Sequence, residues 1–125
     1  MPKTKAEWRE LDERLAREVM GLTSQAGLVR YGRTDLWWAQ NGSRFGEGCW
    51  IADWQPHKYV TQAFLIVNKL LERDWSYIME RHPGRPLNFW FVRTGQPTCA
   101  GIADEEAQAI CLAAEQWMDR RGDEP

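Results

Sequence analysis

The sequence predicts an α+β domain in which three helices pack on a small antiparallel sheet, an α/β/α sandwich. Two observations predict it. Three segments, near 4–20, 57–73 and 104–118, carry apolar residues at helical spacing. The stretches between them are rich in strand formers and turn residues, giving the order helix, hairpin, helix, hairpin, helix.

The first helix opens on a capping box, Thr4-Lys5-Ala6-Glu7. There the Thr hydroxyl and the Glu carboxylate satisfy each other's free backbone N–H groups. Trp8, Leu11, Leu15, Val19 and Leu22 form its apolar stripe. Gly21 is the expected stop, since glycine tolerates a left-handed cap. Arg9, Glu10, Glu13, Arg14 and Arg17 form a polar face suited to i,i+4 ion pairs.

Thr23–Gly27 reads as polar connector. Leu36–Gln40 reads as a strand, and Asn41-Gly42 is a strong hairpin signal. A two-residue turn there sets Trp38 opposite Phe45. Gly46 and Gly48 interrupt the return strand, so order is expected to resume near Cys49–Trp54.

The second helix is expected to begin near Pro56, with Val60, Ala63, Phe64, Val67, Leu70 and Leu71 as its buried stripe. Trp75–Arg81 and Leu87–Arg93 read as strands around the turn His82–Pro86. The second of these is rich in aromatic and β-branched residues. Thr94–Pro97 reads as loop. Asp104, Glu105 and Glu106 place acids where a helix start favours them. Ala107, Ile110, Cys111, Ala114, Trp117 and Met118 then form the third stripe. The expected core is Leu11, Leu15, Val19, Phe64, Val67, Leu71, Phe89, Phe91 or Trp90, Ile110 and Ala114.

The 125 residues fit one domain, 1–125, ending in a polar tail at 120–125. A 43% apolar content supports a core. Net charge is −2, from 16 basic and 18 acidic residues. That balance argues against both nucleic-acid binding and nucleic-acid mimicry. No apolar run approaches the ~20 residues of a membrane span, and the polar N-terminus does not read as a signal peptide. Three cysteines, Cys49, Cys99 and Cys111, fit reduced thiols in a cytoplasm better than a disulfide framework.

The segment Asp53-Trp54-Gln55-Pro56, followed by Gln62-Ala63 and Val67-Asn68-Lys69-Leu70, resembles the phage ABA-sandwich domain family. Ala107–Ala114 is similar to that family's closing helix, and Leu15–Gly21 to its first. The resemblance covers most of the chain in matching order. It implies an α/β/α sandwich encoded by a tailed phage or prophage and acting in a bacterial cytoplasm. It implies no particular activity.

Chemistry is sparse in the residues themselves. Cys49, His57, His82, Cys99 and Cys111 fall in no metal-ligand spacing. Cys49 and His57 are not forced together as nucleophile and base, and no catalytic motif occurs. Neither enzymatic activity nor a cofactor is expected.

Two features stand out. Trp is abundant, with eight residues, and successive strand residues send Trp37 and Trp38 to opposite faces. The outward one is either covered by a helix or free to anchor a partner. Arg81, His82, Arg85, Arg93 and Lys58 are expected to gather near Trp75, Tyr77 or Trp90 at one end of the second hairpin. That is either a stacking site for a nucleotide or a solvated sheet rim.

The expectation is a binding protein. Its partner is expected to be a host or phage protein, contacted through Trp37, Trp38, Arg44, Phe45, Arg81, His82 and Arg85. Inhibition of a bacterial defence system, as an anti-CRISPR protein does, is the most concrete form. The alternative is a small-molecule binder that sequesters a nucleotide signal.

Overall fold

The computed structural model describes residues 3–21, 23–24, 37–39, 49–51 and 54–121, with side chains in the first and last of these segments. Three helices alternate with two antiparallel sheets. The elements are α1 (Lys5–Glu18), β1 (Thr23–Ser24), β2 (Trp37–Ala39), β3 (Cys49–Ile51), α2 (Val60–Leu71), β4 (Ser76–Glu80), β5 (Leu87–Val92), β6 (Cys99–Ala103) and α3 (Glu106–Arg121). The α+β class is the one the sequence predicts.

The capping box closes α1 as expected. Glu7 N–H donates to Thr4 Oγ1 at 3.2 Å, and Thr4 N–H donates to the Glu7 carboxylate at 3.2 Å. Gly21 follows in the left-handed region at φ +68°. The polar face carries the i,i+4 pairs Arg9–Glu13 and Arg14–Glu18. It also reaches α3 through Lys3–Glu115 and Arg14–Asp119.

The first sheet corrects the reading of residues 23–51. Thr23–Ser24 is not connector but a short edge strand on β2. Two residues carry no periodicity to betray a strand. Trp38 pairs with Trp50, not Phe45, and Trp37 with Ile51. The return strand is therefore Cys49-Trp50-Ile51, a better strand sequence than one interrupted by Gly46 and Gly48. The Asn41-Gly42 turn lies outside the described residues.

In α2 the helix begins at Val60, three residues later than expected, because Pro56–Lys58 form a separate turn. Its buried face is Ala63, Ile66, Val67 and Leu70. Leu71 is 40% exposed rather than core, Val60 is exposed as well, and Phe64 is only half-buried. The true stripe is rotated toward Ile66, which the expected stripe omitted.

Helix α2 closes with a Schellman arrangement. Asp74 N–H donates to Leu71 O at 3.2 Å, and Trp75 N–H to Leu70 O at 3.1 Å. Asp74 occupies the left-handed position, at φ 68°, where glycine is usual.

The second sheet has the order β4-β5-β6. β6 was not foreseen, since Cys-Ala-Gly-Ile-Ala lacks the aromatic and β-branched content of β5. Phe89 pairs with Gly101 and Phe91 with Cys99. On this inner face Leu87, Phe89 and Phe91 are buried against α3. Gly101 makes the packing possible. A Cβ there would collide with the Ala109 carbonyl and lie 2.6 Å from the Ala113 nitrogen. α3 answers with small residues, Ala107, Ala109, Ala113 and Ala114, all buried. α1 and α2 then pack on α3, and one hydrophobic cluster joins them to this sheet.

Two substitutions should move stability in opposite directions, measured by urea unfolding. Gly101→Ala forces α3 off the sheet and should destabilise by about 2–4 kcal/mol, at or above the usual cost of overpacking. Asp74→Gly relieves the left-handed strain and should stabilise by up to about 1 kcal/mol, the entropy of a new glycine offsetting part of the gain.

Candidate functional site

Charge and aromatic surface compete for the role of functional site, and the fold separates them. Arg81–Pro86 form an exposed turn at one end of the β4–β5 hairpin. Arg85 N–H donates to His82 O at 3.1 Å, and Gly84 takes φ +73° after Pro83, a type II turn. His82 Nε2 lies 2.6 Å from Glu80 Oε1, and Arg81 donates to Asp104 O at 3.2 Å.

Arg93 stands at the far end of β5, beside Val92, which pairs with Ser76. Lys58 belongs to the turn before α2, over the Tyr59 ring. Trp75 is buried, and Tyr77 stacks on Phe89 at 5.4 Å. Arg93 is therefore held away from Arg81, His82 and Arg85, and the expected gathering around one aromatic platform is not complete. Strand length keeps the two ends of the hairpin apart.

Of the other expected contact residues, Trp37 and Trp38 lie in β2, where only the backbone is described. Arg44 and Phe45 lie outside the described residues.

The outer face of the second sheet carries exposed apolar residues. Ile78 pairs with Trp90 and Trp90 with Ala100, making one row across three strands. Ile102, paired with Asn88, lies diagonal to Trp90 on the same face. Ile78 is 52% exposed, Ile102 is 59% exposed and Trp90 is half-buried. Neither isoleucine was singled out in the sequence. The signal was the alternation of β5, whose buried residues at 87, 89 and 91 send 88, 90 and 92 outward.

A second feature the sequence reading missed is a buried acid. Asp12 lies on the apolar face of α1, one turn from Trp8, and is 3% exposed. Its Oδ2 is 2.5 Å from His57 Nδ1, and its backbone carbonyl accepts from Trp54 Nε1 at 2.8 Å. The Trp8 ring stacks on His57 at 5.1 Å. The turn before α2 is thus fastened to α1 at two consecutive helical levels. Asp12 Oδ1 is buried without a hydrogen bond among the described residues.

Burial pushes the Asp12 carboxyl up to about 7, against the lowering effect of its hydrogen bond at His57. Burial and then Lys58 pull His57 below its ordinary range, with Glu105 opposing. Both shifts favour a pair holding a single proton. Cys111 is buried, and burial raises its thiol far from thiolate formation. The Asp12–His57 pair fastens the turn before α2 to α1.

Among the described residues no helix is long and apolar enough to cross a membrane. A comparison with family profiles matches residues 13–114 to the phage ABA sandwich domain. No curated protein and no solved structure matches the chain.

The Asp12–His57 pair makes opposite pH slopes in its two single variants. In Asp12→Asn, His57 remains, with its folded pKa below 6.5. The unfolded chain then binds the extra proton, so stability should rise as pH approaches 6.5. In His57→Gln, Asp12 remains, raised from 3.8 toward about 7. The folded protein then holds the extra proton, so stability should fall as pH rises from about 4 to about 7. Each slope is limited to roughly 1.4 kcal/mol per pH unit. In the wild type the two slopes oppose each other where their ranges overlap, below 6.5. Urea unfolding at several pH values tests this, and equal slopes in the two variants would refute the assignment.

Proposed function

The chain belongs to the phage ABA sandwich domain family, and from that premise we propose that it is a phage or prophage accessory protein acting by non-catalytic binding of a host or phage protein. The observation that carries this reading is the outer face of the second sheet. Ile78 and Ile102 flank Trp90 there, exposed and adjacent. Scattered exposed apolar residues are ordinary, but a contiguous row with an aromatic centre is the composition of a protein interface.

The chemistry of that face favours protein over a nucleotide. Its charged neighbour in register is the acid Glu80, and Arg85 and Arg93 stand at opposite ends of β5. A phosphate would need those cations to converge. The turn Arg81–Arg85 lies at the rim of the face and supplies polar contacts around its centre. The strand bearing Trp37 and Trp38, with Arg44 and Phe45 beyond it, is the second contact element in this proposal. Inhibition of a bacterial defence system is the concrete activity we assign.

Expression of the chain in a defence-carrying bacterium should then raise phage plating, and a target protein should co-purify. Ile102→Glu should fold with stability within about 0.5 kcal/mol of wild type, since the site is exposed. It should weaken the target by roughly 2 kcal/mol or more and abolish protection. Full protection by this variant, with the target still bound, would remove the outer face from the proposal.

A further inference from the structure

The end of the second sheet away from the Arg81–Pro86 turn holds a cavity of about 350 Å³, lined by Asp74, Ser76, Val92, Arg93, Thr94 and Thr98. Three strands build its floor. Ser76 pairs with Val92, and Thr98 comes level with Val92 because Phe91 pairs with Cys99. Two tight turns fix its rim. Asp74 sits in the Schellman turn that ends α2. Arg93 and Thr94 open a turn closed by the Gln96 N–H on the Arg93 carbonyl at 3.0 Å, with Gly95 at φ +81°. Arg120 of α3 donates to the Thr98 carbonyl and ties the third strand to the helix. The backbone of the lining is therefore in place before any ligand arrives.

The fold does not use the polar side chains of this lining. Among the described residues, the side chains of Asp74, Ser76, Arg93, Thr94 and Thr98 have no hydrogen-bond or ion-pair partner. Asp74 and Arg93 carry opposite charges at adjoining ends of paired strands, yet they do not pair with each other. Asp74 also keeps a left-handed backbone, φ 68°, where glycine is easier. The cavity thus has one acid and one base left open, with three hydroxyls around them.

We propose that this cavity binds a small zwitterion, a free α-amino acid or a short peptide, with its ammonium at Asp74 and its carboxylate at Arg93. Charge selects the class. A lining with one cation and one anion is neutralised by a ligand with one of each, whereas a phosphate would meet Asp74 as a like charge. The guanidinium fork matches a carboxylate through two parallel hydrogen bonds. The hydroxyls of Ser76, Thr94 and Thr98 each donate and accept, which serves the remaining amide groups of such a ligand. No aromatic residue is among the described lining, so a nucleobase finds no stacking partner there. The volume lies at the small end of the range for ligand sites. Exposed charge pairs are individually weak, so the expected dissociation constant is on the order of 1 mM. This inference goes beyond the binding role proposed above and does not rest on it.

An NMR titration of the full chain, following its backbone amides, reads the outcome. The probes are L-glutamine and the dipeptide glycyl-L-glutamine, each up to about 20 mM. Saturable shifts are expected at Arg93, Thr94 and Thr98. Acetate and glycinamide each carry one of the two charges and should bind at least about tenfold more weakly. Asp74→Gly and Arg93→Gln should each weaken the zwitterion at least about tenfold. Asp74→Gly is expected to gain stability, so its loss of binding is not a loss of fold. Tighter binding of the dipeptide would make a short peptide the source of the zwitterion, and tighter binding of glutamine a free amino acid. A wild type with no saturable shift from either probe, acetate or glycinamide bound as well as the zwitterions, or zwitterion binding that survives both substitutions would each overturn the proposal.

Discussion

At Gly101 the backbone of β6 meets the backbone of α3 with no side chain between them. Atoms of Ala109, Leu112 and Ala113 occupy the space a Cβ would need. Close approach brings the helix down onto Phe89, the register partner of Gly101, and lets the buried alanines of α3 touch the sheet. α1 and α2 pack on α3 in turn, so the depth at which α3 seats fixes where both other helices lie. Trp117 shows the same dependence from the other end. Its buried ring lies under the guanidiniums of Arg73, just past α2, and Arg121, whose other contacts are with Glu18 at the end of α1. The three helices therefore converge on one side chain of the helix that Gly101 admits.

A second constraint holds α1 against the turn before α2. Apolar packing alone would leave that turn free to slide along the helix, because dispersion has little directionality. The Trp54 indole N–H, the His57 imidazole and the Asp12 carboxyl supply direction. Placing an acid on a buried face costs stability unless it is neutral or paired; burial pushes this one toward neutrality, and the hydrogen bond at His57 supports its charged form.

These same residues explain what was legible in the sequence. Helices α1 and α3 announce themselves, because capping, stripe and terminal charges agree. The stripe of α2 was misread by a fraction of a turn. Val60, Phe64 and Leu71 are as apolar as Ile66, and nothing local says which arc of an apolar helix meets the core. β6 was invisible for the reason it matters: close packing demands small residues, and small residues carry no strand signal. Asp12 was overlooked although its position marks it, as an acid between Trp8 and Leu15 on the apolar face. His57 was considered only as a metal ligand or base, since its partner is 45 residues away. The row Ile78–Trp90 requires strand register, which a sequence does not print.

The inner face of the second sheet is committed to α3, so its residues answer to packing. The outer face is not so constrained. Ile78 and Ile102 retain more than half of their accessible surface, and truncating them would cost the fold little. Folding therefore gives no reason for two large aliphatic side chains to stand beside Trp90 there, where polar residues would serve solubility better. Exposed apolar residues that the core does not use are the observation on which the proposed binding role rests.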